Sequence, residues 1–130
     1  WFGGKTSADL VCVQHFNDLG FAVQLVTEDG SEGRKGLVTG HLEQWLTQQD
    51  ELPEVNYSCG PYPMQRSVAK MAARLGISSQ LSMEALMGCG VGACLSCSLR
   101  CRPPEGVQDP HYANVCQDGP VFDGEEIVWD

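Results

Sequence analysis

The residues of this sequence that are best suited to chemistry are four cysteines. Cys89, Cys94 and Cys97 follow the pattern Cys-x4-Cys-x2-Cys, and residues 98–115 separate them from Cys116. This spacing is typical of loops that bind a plant-type [2Fe–2S] cluster through four thiolates. Glycine and alanine between the first cysteines let backbone N–H groups approach the sulfide atoms of such a cluster. The spacing therefore predicts a [2Fe–2S] site with these four cysteines as ligands.

Two other assignments of the cysteines are open at this stage. Four cysteines also bind zinc, but structural zinc sites usually have paired Cys-x2-4-Cys knuckles, and Cys116 stands alone. Cys101 is close enough in sequence to compete as the fourth ligand. Four clustered cysteines would resemble the bacterial [4Fe–4S] pattern, in which the first gap is two residues long. The longer first gap here favours the diiron loop, with Cys101 as a spare thiol.

The composition narrows the class of protein. The chain has 130 residues, of which 42% are hydrophobic, and its formal net charge of -9 disfavours nucleic acid as a partner. No apolar run is long enough to cross a membrane, and no signal peptide is visible. Seven cysteines, several of them clustered, suit metal binding in the cytoplasm better than a disulfide framework.

The pattern of elements predicts an α/β fold up to residue 76. We expect strands over 21–26 and 53–59, and helices over 10–19, the later part of 37–48, and 63–75. Such alternation is typical of a parallel sheet. The opening βα unit, with its glycine-rich phosphate loop, is missing, and the chain begins on Trp rather than Met, so we expect a fragment.

Periodicity disappears after the predicted α/β part, and turn residues become frequent. We therefore predict two domains: residues 1–78 as a partial α/β domain of parallel-sheet type, and 79–130 as a small, irregular cluster-binding domain. Cys59, Gly60 and Pro61 follow a predicted strand, at the edge where parallel sheets bind ligands. No Ser/His/Asp set or acid–base pair of carboxylates stands out, and the three histidines form no cluster.

Five sequence stretches carry a resemblance to a known family: WFGGKTSADL, TEDGSEGRKGLVT, CGPYPM, CGVGACLSC and VCQDGPVFDGEEIVW. Together they resemble the C-terminal part of the electron-transfer subunit of NAD-dependent dihydroorotate dehydrogenase, within the ferredoxin-reductase superfamily. The resemblance implies an FAD-binding barrel, an NAD(H)-binding α/β domain and a [2Fe–2S] segment, of which this chain lacks the barrel. It implies Cys59, Gly60 and Pro61 as the nicotinamide-side motif. It also implies the four cluster ligands Cys89, Cys94, Cys97 and Cys116.

The resemblance also implies a function in pyrimidine biosynthesis. The FMN-containing catalytic subunit oxidises dihydroorotate to orotate, and the cluster relays the electrons between that subunit and the FAD, which exchanges them with NAD. The two kinds of subunit form a heterotetramer. We expect a cytoplasmic protein that binds neither nucleic acid nor membrane, and a fragment that is inactive alone. Two alternatives are an electron-transfer subunit of another complex, such as a sulfhydrogenase or an NADH-dependent ferredoxin:NADP oxidoreductase, and a zinc-stabilised interaction module.

Overall fold

A computed structural model describes residues 1–129 of the chain. It divides into two compact units, Trp1–Glu51 and the part from Leu52 onward. Among the described residues no helix is long and apolar enough to cross a membrane.

The first unit is built on a three-stranded parallel sheet in the order β1-β2-β3. The central strand is the most apolar, and Val26 within it is fully buried. Gly33, with a positive φ of 69°, lies so close to the backbone of Leu25 that a Cβ would overlap it. The elements of this unit are β1 (Phe2–Gly4), a 3-10 helix (Ser7–Asp9), α1 (Val13–Asp18), β2 (Leu25–Thr27), β3 (Arg34–Lys35) and α2 (Val38–Leu46).

The helix predicted over 10–19 is shorter than expected. The Thr6 amide donates to the Asp9 carboxylate at 2.8 Å, which caps only the 3-10 helix. Cys12 then adopts a left-handed conformation with φ 62°, which interrupts the helical path before α1 begins. Gly20, with φ 85°, follows the end of α1 as predicted.

The second unit combines a mixed sheet with a separate hairpin. Strands β4 and β5 pair in parallel, β8 pairs antiparallel with β5, and β6 pairs antiparallel with β7. The elements are β4 (Val55–Cys59), α3 (Tyr62–Leu75), β5 (Ser78–Ser82), β6 (Ser98–Cys101), β7 (His111–Asn114) and β8 (Val121–Asp123).

Helix α3 fits its sequence signals closely. Pro63 lies in its first turn, and Gly76, with φ 70°, caps its end. Its buried face includes Val68 and Ala72, as the apolar stripe predicts. Gln65 lies on the same face and is fully buried, which the stripe did not predict. Its amide donates to the Ser58 and Ser82 carbonyl groups, so it ties the ends of β4 and β5 together.

One core joins the sheet of the second unit to the cysteine-rich segment. Leu81 of β5 is fully buried, and the same cluster of side chains includes residues of α3, of the β6–β7 hairpin and of β8. Because β5 pairs with both β4 and β8, residues on both sides of the predicted 78/79 boundary share one sheet. The boundary between the two compact units therefore lies between residues 51 and 52. The predicted boundary between an α/β domain and a cluster-binding domain at 78/79 stays a prediction. The other core members are Val68, Ala69, Met83, Cys97, Cys101, Ala113, Val115, Phe122 and Ile127.

The predicted α/β class is confirmed at the level of a mixed fold with small sheets. The expected strand over 21–26 forms only from Leu25, and the one over 53–59 forms from Val55. That the chain is an N-terminally truncated NAD-binding domain stays a prediction.

Candidate metal centre

The β6–β7 hairpin brings two of the predicted ligands together. Cys97 directly precedes β6, and Cys116 follows β7 by two residues. The strands pair Ser98 with Asn114, and the Val115 amide donates to the Cys97 carbonyl at 3.1 Å. This register places the two sulfur atoms 3.3 Å apart. Two ligands that are distant in sequence are thus held side by side by ordinary strand pairing.

Cys89 and Cys94 form a second pair in the loop between β5 and β6. The amides of Val91 and Cys94 each donate to the Cys89 sulfur at 3.4 Å. The hydrogen bond from the Cys94 amide places Cys94 directly beside the Cys89 sulfur. The loop therefore turns around sulfur atoms and directs amide donors at them, as expected of its small residues.

The four cysteines contact one another as two pairs, Cys89 with Cys94 and Cys97 with Cys116. Within residues 1–129, no three His, Cys, Asp or Glu side chains are gathered so that they could hold a single metal ion. A diiron cluster needs two thiolates for each of its irons, whereas structural zinc needs four ligands around one point. The donor set and its pairing therefore fit a [2Fe–2S] cluster better than zinc.

Two glycines make room for this arrangement. A Cβ on Gly88 would lie 2.8 Å from both the Cys94 sulfur and the Ser96 hydroxyl oxygen. Gly92 has φ 77°, and a Cβ there would overlap the carboxamide of Gln117. That carboxamide donates to the Val91 carbonyl at 3.2 Å, which ties the loop to the residue after Cys116. Glycine at these two positions thus leaves space beside the cysteines that a larger side chain would fill.

The surroundings of Cys94 and Cys116 shift the pKa values of their thiols in opposite directions. Hydrogen bonds from Ser96, followed by those with Cys89, lower the pKa of the Cys94 thiol to about 6. The hydrogen bond with Cys97, followed by burial, raises the pKa of the Cys116 thiol. In the metal-free chain, Cys94 is therefore mostly thiolate at neutral pH, the form that binds metal.

This shift predicts how the metal-free chain reacts with iodoacetamide. Because the pKa of Cys94 is about 6, its alkylation should slow only as the pH falls through 6. Peptide mapping by mass spectrometry across a pH series would give the midpoint for this residue. Ser96→Ala should raise that midpoint, while Ser98→Ala, whose hydroxyl bonds Leu95 and Asn114 instead, should not. A native midpoint near 8.5, the ordinary value for a thiol, would contradict the prediction.

Cys101 lies apart from the four predicted ligands. It is 6% exposed, belongs to the hydrophobic core, and lies 3.6 Å from the Leu99 carbonyl. Burial raises the pKa of its thiol, which keeps it protonated. These observations support the interpretation of Cys101 as a spare thiol that packs as a small apolar side chain.

Comparison with known proteins identifies the segment that carries these cysteines. Residues 84–128 match the iron–sulfur cluster binding domain of dihydroorotate dehydrogenase B. The match includes all four predicted ligands, and the predicted iron–sulfur cofactor is confirmed at this level. The ligand set itself stays a prediction, supported by the geometry of the two pairs.

The whole chain is similar to electron transfer subunits of dihydroorotate dehydrogenase B (NAD(+)). The subunit of Caldanaerobacter subterraneus subsp. tengcongensis is 40% identical over 117 residues, covering 90% of this chain and 44% of that relative. The Shouchella clausii subunit is 40% identical over 127 residues, which cover 97% of this chain and 45% of that relative. The Aquifex aeolicus homolog is 35% identical over 127 residues, which cover 98% of this chain and 45% of that relative. The predicted resemblance is thus confirmed, and the chain spans less than half the length of these relatives.

A solved structure is also similar to this chain. It is that of an NADH-dependent reduced ferredoxin-NADP oxidoreductase, studied for flavin-based electron bifurcation. The likeness has a TM-score of 0.74 at 25% identity and covers 98% of this chain and 42% of that one. The expected ferredoxin-reductase type of fold is consistent with this likeness.

The predicted nicotinamide-side motif lies at the carboxyl end of a parallel strand. Cys59 ends β4 and is exposed, and Gly60 adopts φ 150° before Pro61 leads into α3. A Cβ on Gly60 would lie 2.6 Å from the terminal methyl group of Met64. The position is the one expected for ligand binding, but NAD(H) contact by these residues stays a prediction. Asp29, in the loop after β2, accepts hydrogen bonds from Ser31.

Sequence reasoning missed two polar residues of the cluster loop. The hydroxyl of Ser96 lies 3.1 Å from the Cys94 sulfur, and Gln117 ties the loop to the Cys116 segment. One indication of their role was visible in the sequence, because Ser96 directly precedes Cys97 and Gln117 directly follows Cys116. Spacing identifies ligands, but it does not show which neighbouring side chains turn toward them.

Proposed function

We propose that the chain binds a [2Fe–2S] cluster, with Cys89 and Cys94 on one iron and Cys97 and Cys116 on the other. The pairing of the sulfur atoms, with 3.3 Å between those of Cys97 and Cys116, is the observation that carries this proposal. Such a cluster, when bound, supplies one-electron transfer. The amides of Val91 and Cys94 offset negative charge at the Cys89 sulfur. Gly88 and Gly92 keep the space free of side chains.

We further propose that the chain is the C-terminal part of a longer electron-transfer subunit that also carries FAD and receives NAD(H). Its complex serves pyrimidine biosynthesis, with a separate FMN-containing subunit that oxidises dihydroorotate to orotate. Similarity to dihydroorotate dehydrogenase B electron transfer subunits over most of this chain supports the assignment. A cytoplasmic location and a heterotetramer are part of this proposal. The absence of a catalytic acid–base pair from the sequence fits a division in which the partner performs that chemistry.

The surface around the cysteines supports docking of a redox partner. Leu86, Val91 and Leu95 are 84%, 66% and 62% exposed, and Met87 is 49% exposed. Isolated exposed apolar residues are common, but four of them in one ten-residue loop are typical of a contact surface. The exposed side chain of Cys59, at the end of β4, supports its assignment to the nicotinamide side.

A second candidate function is an electron-transfer role in another flavin and iron–sulfur complex. The likeness to the NADH-dependent reduced ferredoxin-NADP oxidoreductase favours it. Reconstitution separates the two candidates. The iron-loaded chain, fused to a relative's flavin domain, is mixed with an FMN-containing dihydroorotate dehydrogenase subunit. Bleaching of the cluster absorbance by dihydroorotate would support the first function. Bleaching by reduced ferredoxin alone would favour the second.

The chain alone should not oxidise NADH. It spans less than half the length of its relatives, and none of its residues is assigned to FAD binding. We therefore expect no NADH-dependent reduction of ferricyanide above the rate without protein, with or without added FAD. A stopped-flow or steady-state assay on the iron-loaded chain tests this. Robust NADH oxidation after FAD addition would contradict it.

A further inference from the structure

Ser96 lies between two predicted ligands, and its hydroxyl group turns toward one of them. Its oxygen is 3.1 Å from the Cys94 sulfur and 3.3 Å from the Leu86 carbonyl oxygen. It also accepts a hydrogen bond from the Gly88 amide at 3.0 Å. The hydroxyl group is thus held between the segment that follows β5 and the sulfur of a predicted ligand.

The hydrogen-bond inventory determines the direction of the contact with sulfur. A serine hydroxyl has one hydrogen to donate, and the Gly88 amide already uses an acceptor position on the oxygen. A cysteine that ligates iron is a thiolate, which accepts hydrogen bonds and donates none. In this structure the Ser96 hydroxyl donates to the Leu86 carbonyl at 3.3 Å; once Cys94 ligates iron as a thiolate, its sulfur, at 3.1 Å, is the nearer acceptor for that O–H.

We propose that Ser96 raises the reduction potential of the cluster by donating this hydrogen bond to the Cys94 sulfur. The inference rests on the proposed [2Fe–2S] site. Reduction adds one electron from an external reductant and makes the sulfur ligands more electron-rich, without breaking a bond of the chain. A donor at the sulfur stabilises the reduced form more than the oxidised form, and hydrogen bonds to sulfur are among the factors that set these potentials.

The surroundings of Ser96 keep the donor in place. Gly88 packs so closely that a Cβ would lie 2.8 Å from both the hydroxyl oxygen and the Cys94 sulfur. The contact therefore depends on a glycine at 88 and a hydroxyl at 96. Ser98 is a matched control, because it is equally exposed but its hydroxyl bonds the Leu95 carbonyl and the Asn114 side chain, not sulfur.

The test is a redox titration of the iron-loaded chain, monitored by EPR. Ser96→Ala should lower the ratio of reduced to oxidised cluster about tenfold at a fixed ambient potential, which is 59 mV for a one-electron couple. Ser98→Ala should leave the potential within error, and Ser96→Thr, which retains the hydroxyl, should stay close to the native value. Pulsed EPR in deuterated buffer should show an exchangeable proton near the cluster that Ser96→Ala removes.

Failure of this inference is distinguishable from failure of the proposed site. A Ser96→Ala chain with full iron content, an unchanged EPR line shape and an unchanged potential would overturn the role of Ser96 and leave the cluster assignment intact. A native chain without iron or signal would overturn the site itself, and with it the inference. If Ser96→Ala does not load iron, Ser96→Gly decides: a lowered potential supports the donor, and a native potential overturns it.

Discussion

Cys116→Ala should lose nearly all of its bound iron after anaerobic reconstitution. Cys116 lies alone in sequence, and its sulfur is 3.3 Å from that of Cys97, so its removal leaves one iron with a single protein thiolate. Replacing residues that only support metal ligands costs 10–100-fold in metal affinity, and loss of a ligand should cost more than about a hundredfold. Iron and labile sulfide, measured per chain against the native protein, test this expectation.

Cys101→Ala is the matched control for that experiment. Cys101 is buried in the core, close to the Leu99 carbonyl, so its replacement removes a thiol without removing a predicted ligand. Iron content should stay native, with at most a small loss of stability. If Cys101→Ala lost iron and Cys116→Ala kept it, the fourth ligand would be Cys101, and the diiron loop would have to be replaced by a four-cysteine cluster in one short segment.

Leu81→Ala should destabilise the second unit by about 2–5 kcal/mol, the usual range for a buried leucine truncated in a core. Leu81 is fully buried in β5, between β4 and β8, and belongs to the core cluster that also contains Val68 of α3 and Cys97. Urea denaturation of the metal-free chain, followed by hydrogen exchange, gives the free energy of unfolding and its distribution. We expect α3 and the β6–β7 hairpin to lose protection together.

Leu86→Ala is the control for this effect. Leu86 is 84% exposed, so its truncation should change the free energy of unfolding by no more than about 0.5 kcal/mol. A Leu81→Ala chain whose hairpin keeps its protection while α3 loses it would contradict a shared core. It would instead support separate folding units on either side of residue 78, as the sequence alone suggested.

The strongest local signals predicted the structure well. Pro63 and Gly76 mark the two ends of α3, and its apolar spacing predicted its buried face. Of the four cysteines that the spacing predicted as ligands, Cys97 and Cys116 have their sulfur atoms 3.3 Å apart, and the full ligand set stays a prediction. Such signals depend on a few neighbouring residues, and all of them are visible in the sequence.

Features set by tertiary structure were not predictable in the same way. The apolar periodicity of residues 10–19 suggested one helix, but the left-handed conformation of Cys12 divides it from the preceding turn. The compact division at 51/52 depends on which strands pair, and β5 joins β4 to β8 across the expected boundary. Likewise, the apolar stripe of α3 gave no indication that Gln65 is buried beside it, bonded to two strand ends.

The measurement that tests the account most directly is EPR of the anaerobically reconstituted, dithionite-reduced chain, with spin quantified against iron. A reduced [2Fe–2S] cluster bound by four thiolates should give a rhombic S = 1/2 signal of about one spin per two irons. A colourless chain that gives no signal and contains stoichiometric zinc would contradict it, and would leave a zinc-stabilised interaction module as the better interpretation.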